Sequence, residues 1–148
     1  MKWIPMVLVT ALCFGSGVSL SQTKKEQMKT EKEIKNVIET FVRAGEERNV
    51  SMYEGILHPE FRVIANRYPT ADKTSILRAE DYVGLIAKKV IGGTKYWIRY
   101  SSIDVAEHSA TVRAELRAEK GGQWVTFLLI LSPENKWQII ADMAVQTE

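Results

Sequence analysis

One cysteine and two histidines in 148 residues leave little room for several kinds of chemistry. Cys13 is the sole thiol, so the chain can form no internal disulfide and has no Cys-x-x-Cys redox or metal motif. His58 and His108 are far apart, and neither a His-x-His spacing nor an acidic cluster accompanies them, so no metal site is expected. Gly-rich phosphate loops are missing too. Gly92-Gly93 and Gly121-Gly122 read as helix-stop and hairpin signals. No Gly-x-Ser-x-Gly elbow is present, although composition alone leaves a Ser-His-Asp triad open. No cofactor motif stands out. A formal net charge of +2, with Lys and Arg scattered among acids, supplies no basic patch for nucleic acid. There are no repeats, low-complexity tracts or linkers, and 148 residues suit one domain.

The first residues differ from the rest. Lys2 precedes the compact apolar run Trp3–Phe14, and Ser19-Leu20-Ser21 places small residues at the −3 and −1 positions of a signal-peptidase site. This pattern predicts a cleavable signal peptide over residues 1–21, cut after Ser21, and hence a secreted or bacterial periplasmic protein. An uncleaved anchor is the competing reading, but the run is short for a membrane span, so no membrane contact is expected after cleavage. Cleavage would remove Cys13, and a cysteine-free exported body suits a bacterial periplasm or exterior. Asn49-Val50-Ser51 has the form of a glycosylation sequon and is read as chance. Residues 22–30 then form a polar lead-in to one domain over 31–148.

Within that domain, Thr30-Glu31-Lys32-Glu33 is a capping box ahead of Ile34, Val37, Ile38, Phe41 and Val42, an apolar stripe at helical spacing. Gly45 and Glu46-Glu47-Arg48 are expected to close this helix. Asn49 or Ser51 can cap a short second helix carrying Met52, Tyr53, Ile56 and Leu57. Pro59 stops it, and the joint Leu57-His58-Pro59-Glu60-Phe61 hands over to a strand opening at Phe61. Turn chemistry at 69–72 and a short strand at 74–77 complete a hairpin. A third helix starts at Arg78-Ala79-Glu80-Asp81, with Tyr82, Leu85, Ile86 and Val90 on one face. Four strands follow, at 95–105, 110–120, 124–132 and 136–145. Ala110, Val112, Ala114, Leu116 and Ala118 alternate with Thr111, Arg113, Glu115, Arg117 and Glu119, so one face is core and the other wet. The stretch 125–131 is apolar on both faces, which makes it central or covered by another subunit. The fold class is therefore α+β, in the order ααββαββββ, with a curved, mostly antiparallel sheet wrapped around a long N-terminal helix.

These residues resemble the nuclear-transport-factor-2-like superfamily, in the branch labelled putative lumazine-binding, a neighbour of the polyketide-cyclase-like proteins. The resemblance is carried by Leu57-His58-Pro59-Glu60-Phe61, Arg78-Ala79-Glu80-Asp81-Tyr82, Ile103-Asp104-Val105 before Ala110-Thr111-Val112, and Phe127–Leu131 with Lys136–Ile140. It implies a cone-shaped roll with a pocket between the helices and the concave sheet face, and a homodimer through the outer sheet face. Such domains include enzymes, binders and assembly modules. Ketosteroid isomerase, which has a similar fold, needs a carboxylate base and two oxyanion donors. Matched through the joint, those roles fall near Asn66, Phe41 and Phe127, which cannot perform them; Tyr68 and Asp72 lie close to the first.

Candidate site residues remain. His58 offers an imidazole that can act as acid or base; the plainer reading is a local hydrogen bond beside the proline. Glu60 can join it or stay solvated. Trp97, Arg99, Tyr100, Arg113, Glu115, Trp124 and Asp142 lie on the large sheet. An aromatic wall with arginines suits a planar, aromatic or anionic ligand, but aromatics and Arg–Glu pairs also decorate ordinary sheet faces. Tyr53 and Tyr82 can offer hydroxyls to the pocket or serve as core residues with a polar tip. The reading favoured by these residues is an exported, non-catalytic binder of a small molecule, with Tyr53, His58, Tyr82, Trp97, Arg99, Arg113, Trp124 and Asp142 around the ligand. The alternatives are an isomerase, dehydratase or hydrolase using His58, and a dimeric assembly module.

Overall fold

The computed structural model describes residues 20–68 and 70–147. Residues 1–19, which hold most of the expected signal peptide, lie outside the described residues.

Helix α1 spans Leu20–Glu47. It begins well before the capping box at Thr30, because the polar lead-in is itself rich in Lys, Glu, Gln and Met, all good helix formers. Side chains one turn apart support it, with Gln27 Nε2 donating to Glu31 at 3.5 Å and Lys29 paired with Glu33 at 3.8 Å. That lead-in is exposed, and the apolar stripe enters the core only from Ile34 onward. Ile34 and Ile38 are completely buried, each contributing about 1.5–3 kcal/mol by removal from water.

The expected second helix is a single 3₁₀ turn, Val50–Tyr53. Ser51 bonds the Asn49 side chain at 2.7 Å, and neither caps the turn. Gly55, at φ 76°, ends any helical path, and Leu57 already pairs in the sheet. Strand β1 therefore runs Leu57–Asn66, opening earlier than the expected start at Phe61. Strand β2 is Thr74–Arg78, helix α2 Ala79–Ala87, β3 Trp97–Ala106, β4 Ser109–Arg117, β5 Gly122–Leu131 and β6 Trp137–Thr147.

The six strands form one sheet in the order β2-β1-β6-β5-β4-β3. Only β1 and β6 pair in parallel; the other neighbours are antiparallel hairpins. The doubly apolar strand, β5, lies inside the sheet between β4 and β6. Three irregularities shape the sheet, each adding residues to one strand against its partner. On β1, His58-Pro59-Glu60-Phe61 bulges between the partners Leu57↔Ile139 and Arg62↔Ala141. A proline lacks a ladder donor and belongs at such a bulge. Ser101 is the extra residue on β3, and Ile140 is the extra residue on β6.

The inner face carries Phe61, Val112, Leu116, Val125, Phe127, Leu129 and Ile139, all buried against α1. Phe41 of α1 is the hub of the core. It packs edge-on against Tyr53, Phe61 and Phe127 at 5.6–5.8 Å between centroids, and stacks on Tyr82 at 5.7 Å with 13° between planes. Edge-to-face and offset pairs each add about 0.5–1.5 kcal/mol beyond burial.

Candidate functional site

A cavity of about 510 Å³ lies between α1, α2 and the inner sheet face. That volume falls in the range of small-molecule sites. Its walls are mostly apolar: Phe41 and Val42 from α1, Ile86 from α2, Val63 and Ala65 from β1, Leu116 from β4 and Ala144 from β6. Polar side chains gather at the rim, where Glu46, Asn66, Arg67, Tyr68, Thr94, Tyr96 and Gln123 line it.

Among the described residues, the one buried charged or polar residue is Asp142, on β6 between Val63 of β1 and Phe127 of β5. Strict alternation from the buried Trp137 and Ile139 would turn Asp142 outward. The extra residue Ile140 reverses the parity, so Asp142 and Ala144 face the cavity while Met143 and Val145 face outward. Asp142 is 7 % exposed, and its Oδ1 has no hydrogen-bond partner among the described residues. Loss of hydration disfavours the carboxylate and pushes its pKa up to about 7.

Two tyrosines face this carboxyl. Tyr82 of α2 lines the cavity, and Tyr53, buried behind it, donates its hydroxyl to the Tyr82 oxygen at 3.4 Å. Burial pushes both phenols upward, with further contributions from the charge of Asp142. Both hydroxyls therefore stay protonated at neutral pH.

A clamp holds the wall formed by the loop after α2. Arg48, in a left-handed conformation at φ 52°, ends α1 and donates to the carbonyls of Ile91 and Gly92 at 3.3 and 2.8 Å. The Gly93 amide donates to the Gly45 carbonyl at 2.9 Å. In the sequence, Gly92-Gly93 reads as a stop signal and Arg48 as part of the charged run that closes α1, with nothing to join the two. A basic residue just beyond the helix end was the available signal. Nothing in the local sequence marked Arg67 or Tyr96 as rim residues.

The eight candidate residues divide into three groups. Tyr82 and Asp142 line the cavity, with Tyr53 directly behind. His58 lies on the β1 bulge, where its Nδ1 accepts the Glu60 amide at 3.1 Å; it does not line the cavity. Glu60 is exposed and paired with Arg62 at 2.8 Å. Trp97, Arg99, Arg113 and Trp124 lie on the outer face, across the sheet from the cone. There the Arg99 and Arg113 guanidiniums approach the Trp124 ring at 5.8 and 5.2 Å. Glu115 joins them, paired with Arg99 at 2.5 Å and Arg117 at 3.0 Å, and these arginines, Arg117 foremost, lower its pKa. Tyr100 points the other way, its hydroxyl reaching the Lys35 carbonyl at 3.4 Å.

The positions matched to ketosteroid isomerase are occupied by structure. Asn66 accepts from Thr74 Oγ1 at 2.9 Å, and Phe41 and Phe127 pack on each other. Among the described residues, no three His, Cys, Asp or Glu side chains converge on a metal position, and no helix is long and apolar enough to cross a membrane.

Comparison with solved structures finds the same fold. An NTF2-like protein of unknown function from Silicibacter pomeroyi superposes with a TM-score of 0.70 at 14% identity, covering 82% of this chain and 98% of that one. A similar protein from Shewanella baltica gives 0.70 at 12% identity, with 82% and 96% covered. One from Methylobacillus flagellatus gives 0.63 at 18% identity, with 89% and 97% covered. No curated protein matches the chain. The family model described as "Putative lumazine-binding" matches residues 29–143, from the middle of α1 to Met143 beside the cavity carboxyl. With that match spanning most of the chain, the chain belongs to the "putative lumazine-binding" family, and it shares its fold with NTF2-like structures.

Proposed function

We propose that this protein is an exported domain that holds a small planar molecule in its cone without transforming it, and that it acts as a homodimer paired through the outer sheet face. The observation that carries the binding reading is Asp142. A carboxyl with an unpartnered oxygen at an apolar-walled cavity is a cost that a fold tolerates where a ligand supplies the missing partner. The family's description, with its lumazine, makes pteridine-type heterocycles the first compounds to try. Export rests on the Lys2, Trp3–Phe14 and Ser19–Ser21 pattern. Pairing rests on the exposed apolar residues of the outer face.

Native mass spectrometry of gently purified protein, with thermal-shift measurements against lumazine, pterins, flavins and aromatic acids, tests the binding reading. A retained small molecule or a stabilisation that disappears in Gly45→Trp, which fills the cone, is the expected result. Absence of both a retained mass and any stabilisation across the panel counts against it.

Turnover is the second reading, and one observation favours it: Asp142 titrates near neutrality beside a protonated phenol, as a general acid–base pair does. It differs from an enzyme built on His58, whose Nδ1 is already occupied on the bulge. A product mass appearing with wild-type protein and absent with Asp142→Asn would establish turnover over simple binding.

A further inference from the structure

The cavity presents two unmet hydrogen-bonding needs of opposite kind. Tyr53 is buried and shares one hydrogen bond with the Tyr82 hydroxyl at 3.4 Å. One bond uses one of the two phenolic protons, so a donor is left over, and Tyr82 is the member of the pair that lines the cavity. Asp142 has no partner at Oδ1 among the described residues and lines the same cavity, and the two groups interact through space without bonding each other. One group offers a proton and the other wants one, across a gap that the protein itself does not bridge.

The walls restrict what can bridge it. Phe41, Val63, Ile86 and Leu116 are apolar, so most of the surface a ligand buries here is apolar too. Arg67 is the single Lys or Arg among the described lining residues, and it is exposed at the rim. An anionic group reaching Asp142 would meet a carboxyl in a dry site with no cation to offset it. A purely cationic group would satisfy Asp142 but leave the Tyr82 proton without an acceptor. A hydrocarbon would satisfy neither, and each buried unmet group costs about 1–3 kcal/mol.

We propose that the cone selects an uncharged planar ring bearing an N–H donor beside a carbonyl acceptor, a lactam or imide edge. The N–H donates to the Asp142 carboxyl, and the carbonyl accepts from the Tyr82 hydroxyl. Asp142 serves in either protonation state, because its carbonyl oxygen accepts in both. This inference rests on the small-molecule reading above and narrows it, setting aside the anionic ligand class that the sequence also suggested.

Three flat bicyclic probes separate the possibilities by isothermal titration at mildly acidic pH, where lumazine is uncharged. Lumazine carries the imide edge, 1,3-dimethyllumazine keeps the ring and carbonyls but has no N–H, and 1-naphthoate is a flat anion. The expected result is lumazine binding about tenfold or more tighter than its dimethyl derivative, the loss of one buried hydrogen bond. Asp142→Leu should erase that difference, and Tyr82→Phe should weaken both lumazines alike. Equal affinity for the two lumazines, or tightest binding of 1-naphthoate, overturns the donor–acceptor inference while leaving a binding cone in place. Binding by none of the probes, with no ligand retained on purification, overturns both. The comparison of the two lumazines needs only wild-type protein, so the outcome does not depend on whether a variant folds.

Discussion

An aspartate moved from water to the floor of this cone loses hydration that the described residues do not replace at Oδ1. Its pKa rises from 3.8 to about 7, so the folded state holds a proton that the unfolded chain has released. With more protons bound in the folded state, stability must fall as pH rises from about 4 toward 7, and level off above. The full effect is on the order of 4 kcal/mol. The phenols facing Asp142, Tyr53 from the 3₁₀ turn and Tyr82 from α2, remain neutral throughout, so they add no slope. Carboxyls with lowered pKa, Asp72, Glu115 and Glu134, work in the opposite sense but finish titrating in the acid range. Urea unfolding at pH values spanning 5 to 8 should therefore show the wild type losing stability while Asp142→Asn stays flat and becomes the more stable at the alkaline end. A wild-type profile as flat as that of the variant would contradict a raised carboxyl pKa. His58 offers a contrast at the same scale. Its Nδ1 accepts the Glu60 amide within its own bulge, so His58→Ala should cost less than about 1 kcal/mol and leave probe affinity in the cone unchanged. A tenfold loss of affinity would return His58 to the site.

At the level of elements, the cavity wall depends on how closely the loop after α2 approaches α1. Gly92 has φ 81°, and a Cβ there would stand 2.5 Å from the Gly45 carbonyl oxygen, a backbone atom that cannot step aside. Gly92→Ala should destabilise by about 1–3 kcal/mol. It should also speed hydrogen exchange of the Gly93 amide, whose bond to Gly45 holds the loop down. Unchanged exchange would mean the clamp is not the element that holds the wall. This approach was only partly visible beforehand: Gly92-Gly93 announced the end of a helix, but not the partner it meets. The same holds for the strands. Alternation in β4 placed Val112, Ala114 and Leu116 inside, and they are buried. It fails on β6, where Ile140 is inserted into the register. A bulge is defined by what the neighbouring strand does, so the local pattern of Ile139-Ile140-Ala141-Asp142 carries no mark of it. For the same reason the joint was legible as a break while its function as a bulge, with His58 and Glu60 carried away from the cavity, was not. Three of the eight candidates, Tyr53, Tyr82 and Asp142, gather at the cone because helix faces and one register shift bring them there. The four sheet residues Trp97, Arg99, Arg113 and Trp124 were grouped with Asp142 by strand membership alone, and strands have two faces.

Across the whole molecule, the second sheet face is as distinctive as the cone. The register aligns Ile76, Ile64 and Met143 in one row, with Val145 and Trp124 in the row on one side and Leu128 in the row on the other. Ile76, Leu128, Met143 and Val145 are 42–63 % exposed, and the Arg99–Trp124–Arg113 group borders them. An apolar strip rimmed by charge is the composition of a protein interface rather than of a solvated face. In a two-fold pair the same patch meets itself, so a single substitution acts twice, once from each copy. Leu128→Glu is the informative change. Its side chain is outward and already 43 % exposed, so the monomer fold should tolerate it. In a paired molecule it would place two carboxylates in an apolar contact, and dissociation should strengthen at least tenfold, a cost of about 1.4 kcal/mol or more. Sedimentation velocity over a micromolar concentration series reads this directly, with the wild type expected as a dimer and the variant shifting to monomer. Because the β6 bulge turns Asp142 into the cone and Met143 and Val145 onto this face, the two surfaces share a strand. A wild-type monomer throughout the series would leave the strip without a second copy to cover it and would remove the dimer from the proposed function, with the binding cone unaffected.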